Sequence, residues 1–162
     1  MDNNITDNYL CDEVLINLRR IIQTIELHSR QIVRKIGLTG PQLLILLAIS
    51  KGKELTVGEI AKSISLGQAT VTSILTRLEK KGLITRERSI VDKRKVYIKI
   101  TQQTERLLKI APPPLQETFI KQFNELKNWE QSMILCSLQR LVNMMEAKEI
   151  DAAPYLETGP LE

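Results

Sequence analysis

Histidine occurs once, at His28, and cysteine only twice, at Cys11 and Cys136. Two cysteines so far apart make neither a disulfide framework nor a zinc site. One imidazole leaves no nucleophile–base–acid set to assemble, and the seven glycines form no phosphate-cradling loop. The chain is therefore expected to be no enzyme and to hold no metal or cofactor. Aromatic residues make up only 4% of the sequence, so aliphatic helix packing has to supply the core. The longest wholly apolar run, Leu43 to Ile49, is far too short to span a bilayer. The acidic N-terminus does not read as a secretory signal. A chain of 162 residues with 43% hydrophobic content is expected to form one soluble, cytoplasmic domain or a small two-part subunit, with no membrane partner.

What is present is a local concentration of positive charge. From Arg77 to Lys99 there are nine basic residues against three acids, a net +6, while the whole chain is only +4. That charge lies beside a recognisable pattern of elements. Thr56 followed three residues later by Glu59 is a capping box, which predicts a helix from Val57 with Val57, Ile60, Ala61 and Ile64 inward. Ser65-Leu66-Gly67 breaks the pattern, and Gly67 serves as N-cap for a second helix burying Val71, Ile74, Leu75 and Leu78. Gly82 ends that helix after Lys80-Lys81. Its outward face carries Gln68, Ala69, Thr72, Ser73, Thr76 and Lys80, with Thr70 and Arg77 on the flanks.

Such a face is short, polar and uncharged near its start. Gln can bond adenine in a bidentate way, and Thr and Ala methyls can touch thymine. Alone, it would equally suit an ordinary solvated helix. The hairpin that follows changes the balance: Leu83–Arg88 and Val96–Ile100 show strand patterning around a basic loop, Ser89–Lys95. A basic footprint next to a polar helix face is what binding to double-stranded DNA requires.

These residues carry a family resemblance. Leu38-Thr39 with Gln42, Leu55-Thr56-Val57 with Glu59-Ile60-Ala61, Thr70-Val71-Thr72, the run Arg77 to Ile84, and Asp92-Lys93-Arg94 followed by Ile100-Thr101 resemble the MarR family of winged helix–turn–helix transcription regulators. The resemblance implies a mainly α fold with a small β-hairpin wing, in which N- and C-terminal helices form a homodimer. It implies that Arg94 reaches the minor groove, that Asp92 supports the wing, and that Arg77 meets backbone phosphate. The wing of the family usually reads Asp-Arg-Arg. Lys93 keeps the charge there but loses bidentate geometry, so a phosphate contact is the expectation at that position. The expected DNA-contacting set is Gln68, Ala69, Thr70, Thr72, Ser73, Thr76, Arg77, Lys93 and Arg94.

On this reading, residues 38–101 form the winged helix–turn–helix region, 9–37 and 102–148 the helical dimerisation region, and 1–8 and 151–162 flexible tails. Cys11, Val14, Leu18, Ile21, Ile25, His28 and Ile32 form an apolar stripe that one helix cannot bury without a partner. Gln42–Ser50 is expected to be a buried helix, and Thr104–Ile110 is expected to be helical until Pro112-Pro113-Pro114 interrupts it. Asn128 with Gln131 suggests a capping box for a last helix through about Lys148. A two-fold dimer would set its recognition helices about 34–36 Å apart and read a pseudo-palindromic operator.

Three further features are open at this stage. Cys11 is placed like the reactive thiol of the peroxide-sensing branch of the family, but it also fits the apolar stripe, and the packed cysteine is the leading expectation. His28 could couple pH to dimer geometry or simply be a satisfied interface residue. Many relatives bind a small-molecule effector, but the sequence assigns no residues to one. The segment Ala111–Glu117 together with Leu38–Gln42 is similar to a branch regulating compatible-solute synthesis, such as that of ectoine, which implies an osmotic-stress target. The leading expectation is a dimeric repressor; the alternative is a winged-helix protein-interaction module without specific DNA readout.

Overall fold

The computed structural model describes residues 3–52, 54–90, 92–150, 152 and 154–156, with side chains described from Tyr9 onward. Helix α1 (Asn3–Ile36) opens the chain. Its 34 residues correspond to a length of about 51 Å at 1.5 Å per residue. It already contains residues 3–8 of the expected tail 1–8. The expected tail 151–162 lies mostly outside the described residues.

Helix α2 (Gly40–Lys51) follows after Gly37, which adopts φ +68° to end α1. The Gln42 side chain accepts the Thr39 backbone N–H at 3.3 Å and so satisfies a donor at the start of α2. Leu43, Ile45, Leu46 and Ile49 are almost completely buried, and α2 packs against α1, α3 (Val57–Ser63), α4 (Gln68–Lys80), α5 (Gln102–Ile110) and β2 (Val96–Ile100). The apolar run excluded above as a membrane span is thus the hub of a folded core. Among the described residues, no single helix is long and apolar enough to cross a membrane.

Strand β1 (Ile84–Arg88) pairs antiparallel with β2, with Ile84 opposite Ile100 and Arg88 opposite Val96. The Ile98 N–H also donates to the Leu55 carbonyl at 2.9 Å, so the hairpin is laced to the segment that enters α3. Thr104, fully buried, donates from its hydroxyl to the Leu83 carbonyl, and the Thr101 hydroxyl donates to the Gly82 carbonyl at 3.0 Å. These bonds fasten the start of α5 to the start of the hairpin. The chain forms two compact units that divide at Pro112–Pro113, with α5 in the same unit as α1 and the winged helix.

The second unit, Pro113–Tyr155, holds α6 (Leu115–Asn124) and α7 (Asn128–Met144). Phe119 and Phe123 stack with ring centroids 5.6 Å apart. The start of α7 differs from the expected Asn128/Gln131 box by one residue. Glu130 accepts the Lys127 backbone N–H at 2.8 Å, whereas Gln131 donates to the Phe123 and Leu126 carbonyls at 2.9 and 3.2 Å. A carboxylate is the stronger acceptor for the free N–H groups, which frees the amide to join the two helices. The helix also stops before Lys148. Glu146 takes φ +55°, and the Ala147 N–H bonds to the Val142 carbonyl at 3.0 Å in a Schellman end.

Candidate nucleic-acid interface

Local chemistry sets the site. Helix α3 starts where its capping box dictates: the Thr56 N–H donates to Glu59 Oε2 at 2.8 Å, and the Glu59 N–H donates to Thr56 Oγ1 at 3.4 Å. The Thr56 hydrogen bonds, helped by the charge of Lys95, hold the Glu59 carboxyl below its ordinary range. The turn into α4 is closed by Ser65 at φ +54°, with the Leu66 N–H bonded to the Ala61 carbonyl at 3.0 Å. Leu66 itself is buried and anchors the turn.

In α4, Val71, Ile74, Leu75 and Leu78 are buried, with at most 2% exposure, and fix the rotation of the helix about its axis. That rotation leaves Gln68, Ala69, Thr72, Ser73, Thr76 and Arg77 exposed and Thr70 half-buried. Gly67 supplies no side chain to cap the helix, so the first-turn N–H groups of α4 are available to an anion such as a DNA phosphate. At the far end the Gly82 N–H bonds to the Glu79 carbonyl at 2.9 Å and the Leu83 N–H to the Leu78 carbonyl at 3.0 Å. Gly82 sits at φ +69°. This Schellman end turns the chain directly into β1.

The threonines are more committed than their exposure suggests. The Thr72 hydroxyl donates to the Gln68 carbonyl at 2.7 Å, and that of Thr76 to the Thr72 carbonyl at 2.9 Å. Arg86, from β1, donates to Thr76 Oγ1 at 3.3 Å and pairs with Glu79 at 2.9 Å. Pattern reasoning did not single out this contact, because residues 76, 79 and 86 share no helical or strand period across the Gly82 turn. A base edge would therefore meet an acceptor and a methyl at Thr72, while Gln68 keeps its amide free of any such backbond.

The wing is a shaped loop. Arg94 N–H donates to Asp92 Oδ1 at 3.1 Å, Lys95 N–H to the Asp92 carbonyl at 2.9 Å, and Ser89 N–H to the Lys95 carbonyl at 3.0 Å. Lys93, Arg94 and Lys95 are exposed, and Ile90 at the tip is 96% exposed. Further back, Lys99 pairs with Glu87 at 2.7 Å, and the hydrogen bond and charge of that carboxylate raise the lysine pKa. The two ion pairs consume two bases and two acids, leaving Arg77, Lys80, Lys81, Arg88, Lys93, Arg94 and Lys95 against Asp92 across this stretch. The hairpin and the end of α4 keep their net positive charge.

Cys11 lies exposed on α1, and Cys136 exposed on α7. His28 is half-buried. Among the described residues, no three His, Cys, Asp or Glu side chains converge on a metal-sized site.

The arrangement has known counterparts. The profile described as the MarR family matches residues 36–95. The chain is 36% identical over 78 residues to the HTH-type transcriptional regulator MgrA of Staphylococcus aureus, which covers 48% of this chain and 53% of that protein. It is 33% identical over 96 residues to the organic hydroperoxide resistance transcriptional regulator of Bacillus subtilis, covering 59% and 63%. The chain thus spans between about half and two thirds of the length of these curated relatives. Among solved structures, a MepR–DNA complex from S. aureus superimposes with a TM-score of 0.54 at 21% identity, over 80% of this chain and 96% of that one. A mutant of Lactococcus lactis ZitR gives 0.59 at 22% identity, over 84% and 97%. These two share the fold of mostly helices with one antiparallel hairpin. The likeness to the MarR family thus lies in the winged-helix region, residues 36–95.

Proposed function

We propose that this protein is a sequence-specific DNA-binding transcription regulator that works as a homodimer, most simply as a repressor occupying a pseudo-palindromic promoter site in the cytoplasm. The observation that carries this reading is the geometry around Arg86: the basic hairpin is fastened beside the exposed polar face of α4, so one duplex can meet both. Gln68, Ala69, Thr72 and Ser73 would read base edges in the major groove. Arg77 and Lys93 would hold phosphates, and Arg94, on the loop that Asp92 shapes, would enter the adjacent minor groove. Thr70, half-buried, would contribute a backbone or methyl contact at the groove edge. The similar proteins support the reading, since MgrA is a transcriptional regulator and MepR was solved on DNA.

The dimer follows from unpaid apolar surface. Val14, Leu15, Ile21 and Ile22 of α1 and Leu135, Leu138 and Val142 of α7 are all more than 40% exposed in the single chain, and a second copy would cover them. A small-molecule, ionic or redox signal acting on that interface would modulate DNA binding, with Cys11, exposed on α1, as the residue to examine for redox control. An osmotic-stress target remains part of the proposal through the segment Ala111–Glu117.

The test is selection of binding sites from a random duplex library, followed by fluorescence-anisotropy titration of the recovered duplex against a scrambled one at two salt concentrations. A preference of roughly 10³-fold or more that persists at the higher salt supports the reading. Equal binding to both, vanishing steeply with salt, would leave only a basic hairpin meeting phosphate. Adding osmolytes, salts and peroxide to the same titration examines the signal.

A further inference from the structure

An arginine on the hairpin of a DNA-facing unit would ordinarily be counted among the phosphate contacts. Arg86 is differently engaged. It follows Ile84 by two residues on β1, so its side chain leaves the strand on the face that buries Ile84. There its Nε meets Glu79 Oε2 at 2.9 Å and its Nη2 donates to Thr76 Oγ1 at 3.3 Å. Thr76 and Glu79 are three residues apart on α4, neighbours along one face. One guanidinium from the wing therefore grips two positions, three residues apart, of the helix that carries the base-reading residues. The grip matters because a two-stranded hairpin is marginally stable alone and has little intrinsic stiffness. Its other edge is held by the Leu55–Ile98 bridge, and Arg86 supplies the hold on the α4 side.

We propose that Arg86 is a positioning residue: through Glu79 and Thr76 it fixes the wing against the recognition helix, and so sets the distance between Gln68 in one groove and Arg94 in the next. The same contact removes Thr76 from the base-reading set, since its hydroxyl proton goes to Thr72 and its oxygen faces Arg86. This rests on the DNA-binding reading above.

Charge gives a clean discriminator. Glu79 is an acid close to the DNA-facing surface, so on field strength alone Glu79→Gln would bind DNA as tightly as the parent or more so. Positioning predicts the opposite sign. With the duplex recovered by selection, Glu79→Gln and Arg86→Gln should each weaken binding about three- to tenfold, and the double variant should be no worse than either single one. The salt slope of Arg86→Gln should match the parent, because no phosphate contact is lost. In an Arg94→Ala background, Glu79→Gln should cost less than in the parent, because the wing then has only the Lys93 phosphate contact left to place. The swapped pair Glu79→Arg with Arg86→Glu should regain part of the affinity, which keeps the test decisive should a single variant fold poorly. Parity or a gain for Glu79→Gln, or a slope lowered by about one for Arg86→Gln, would overturn the assignment. If the parent recovers no sequence at all, the DNA-binding reading falls and this inference with it. If the parent is specific while Glu79→Gln matches it, only the positioning role falls.

Discussion

The winged-helix unit and the end helices are built from the same aliphatic residues but use them in opposite ways. Between Leu38 and Ile98 the apolar positions, apart from Ile90 at the wing tip, mostly pack internally: Leu43, Ile45, Leu46, Ile60, Val71, Leu75, Leu78 and Ile98 are essentially inaccessible to solvent. In α6 and α7 no residue is buried, and in α1 burial is confined to the last part, at Ser29, Ile32 and Ile36. The first region satisfies itself. The others expose apolar residues such as Val14, Ile21, Leu135 and Leu138, surface that the proposed second copy would remove from water. A self-contained winged-helix core and exposed apolar residues on the end helices are what the proposed dimeric DNA-binding reading requires.

That contrast is easiest to break in the core. Leu75→Ala, at a fully buried position on α4, should lower unfolding stability by about 2–5 kcal/mol, read by urea denaturation. Leu138→Ala, 44% exposed on α7, should behave differently. Its effect should grow as protein is diluted, because the lost contact lies between copies, and sedimentation should register a weaker dimer. A concentration-independent loss of core size for Leu138→Ala would erase the distinction.

Smaller effects sharpen it. Thr104→Val removes a buried hydroxyl donor from the Leu83 carbonyl and should cost about 1 kcal/mol, since Thr101 still bonds the same region. Ser65→Gly relieves a left-handed residue in the turn between α3 and α4, and should raise the melting temperature by an amount corresponding to about 1 kcal/mol at most. The smallest effect is a pH dependence. Because the folded Glu59 carboxyl titrates below its ordinary value, its contribution is present above the ordinary carboxylate range and is lost as pH falls through the lowered value. Melting curves between about pH 3 and 6 should show that loss in the parent and a flatter profile in Glu59→Gln.

The sequence was most legible where structure is decided locally. The Thr56/Glu59 box, the Gly67 start of α4, the Gly82 end and the alternation Val96-Ile98-Ile100 each depend on residues within one turn or one strand, and each element stands where its signal put it. Legibility failed where a tertiary need competes with a local one. Gln131 looked like a capping partner but bonds the carbonyls of Phe123 and Leu126, and Glu130 caps instead. Ser65 and Glu146 both close helices in a left-handed conformation that glycine usually marks; the break at Ser65-Leu66-Gly67 is legible from the sequence, whereas nothing in composition marks the stop at Glu146. The grip of Arg86 on Glu79 and Thr76 joins two elements through a turn, and no periodicity reports it. At the interface, the exposed set on α4 was readable from its buried complement. The backbonding that removes hydroxyl protons from Thr72 and Thr76 was not, because it depends on side-chain torsions rather than on residue type.

The central claim is that two copies present two recognition helices and two wings to one duplex. Hydroxyl-radical footprinting on the selected duplex tests it most directly. The account predicts two symmetric protected half-sites one helical turn apart, with flanking minor-groove protection that disappears in Arg94→Ala. A single unsymmetrical protected patch, or a footprint that Arg94→Ala leaves intact, would contradict it.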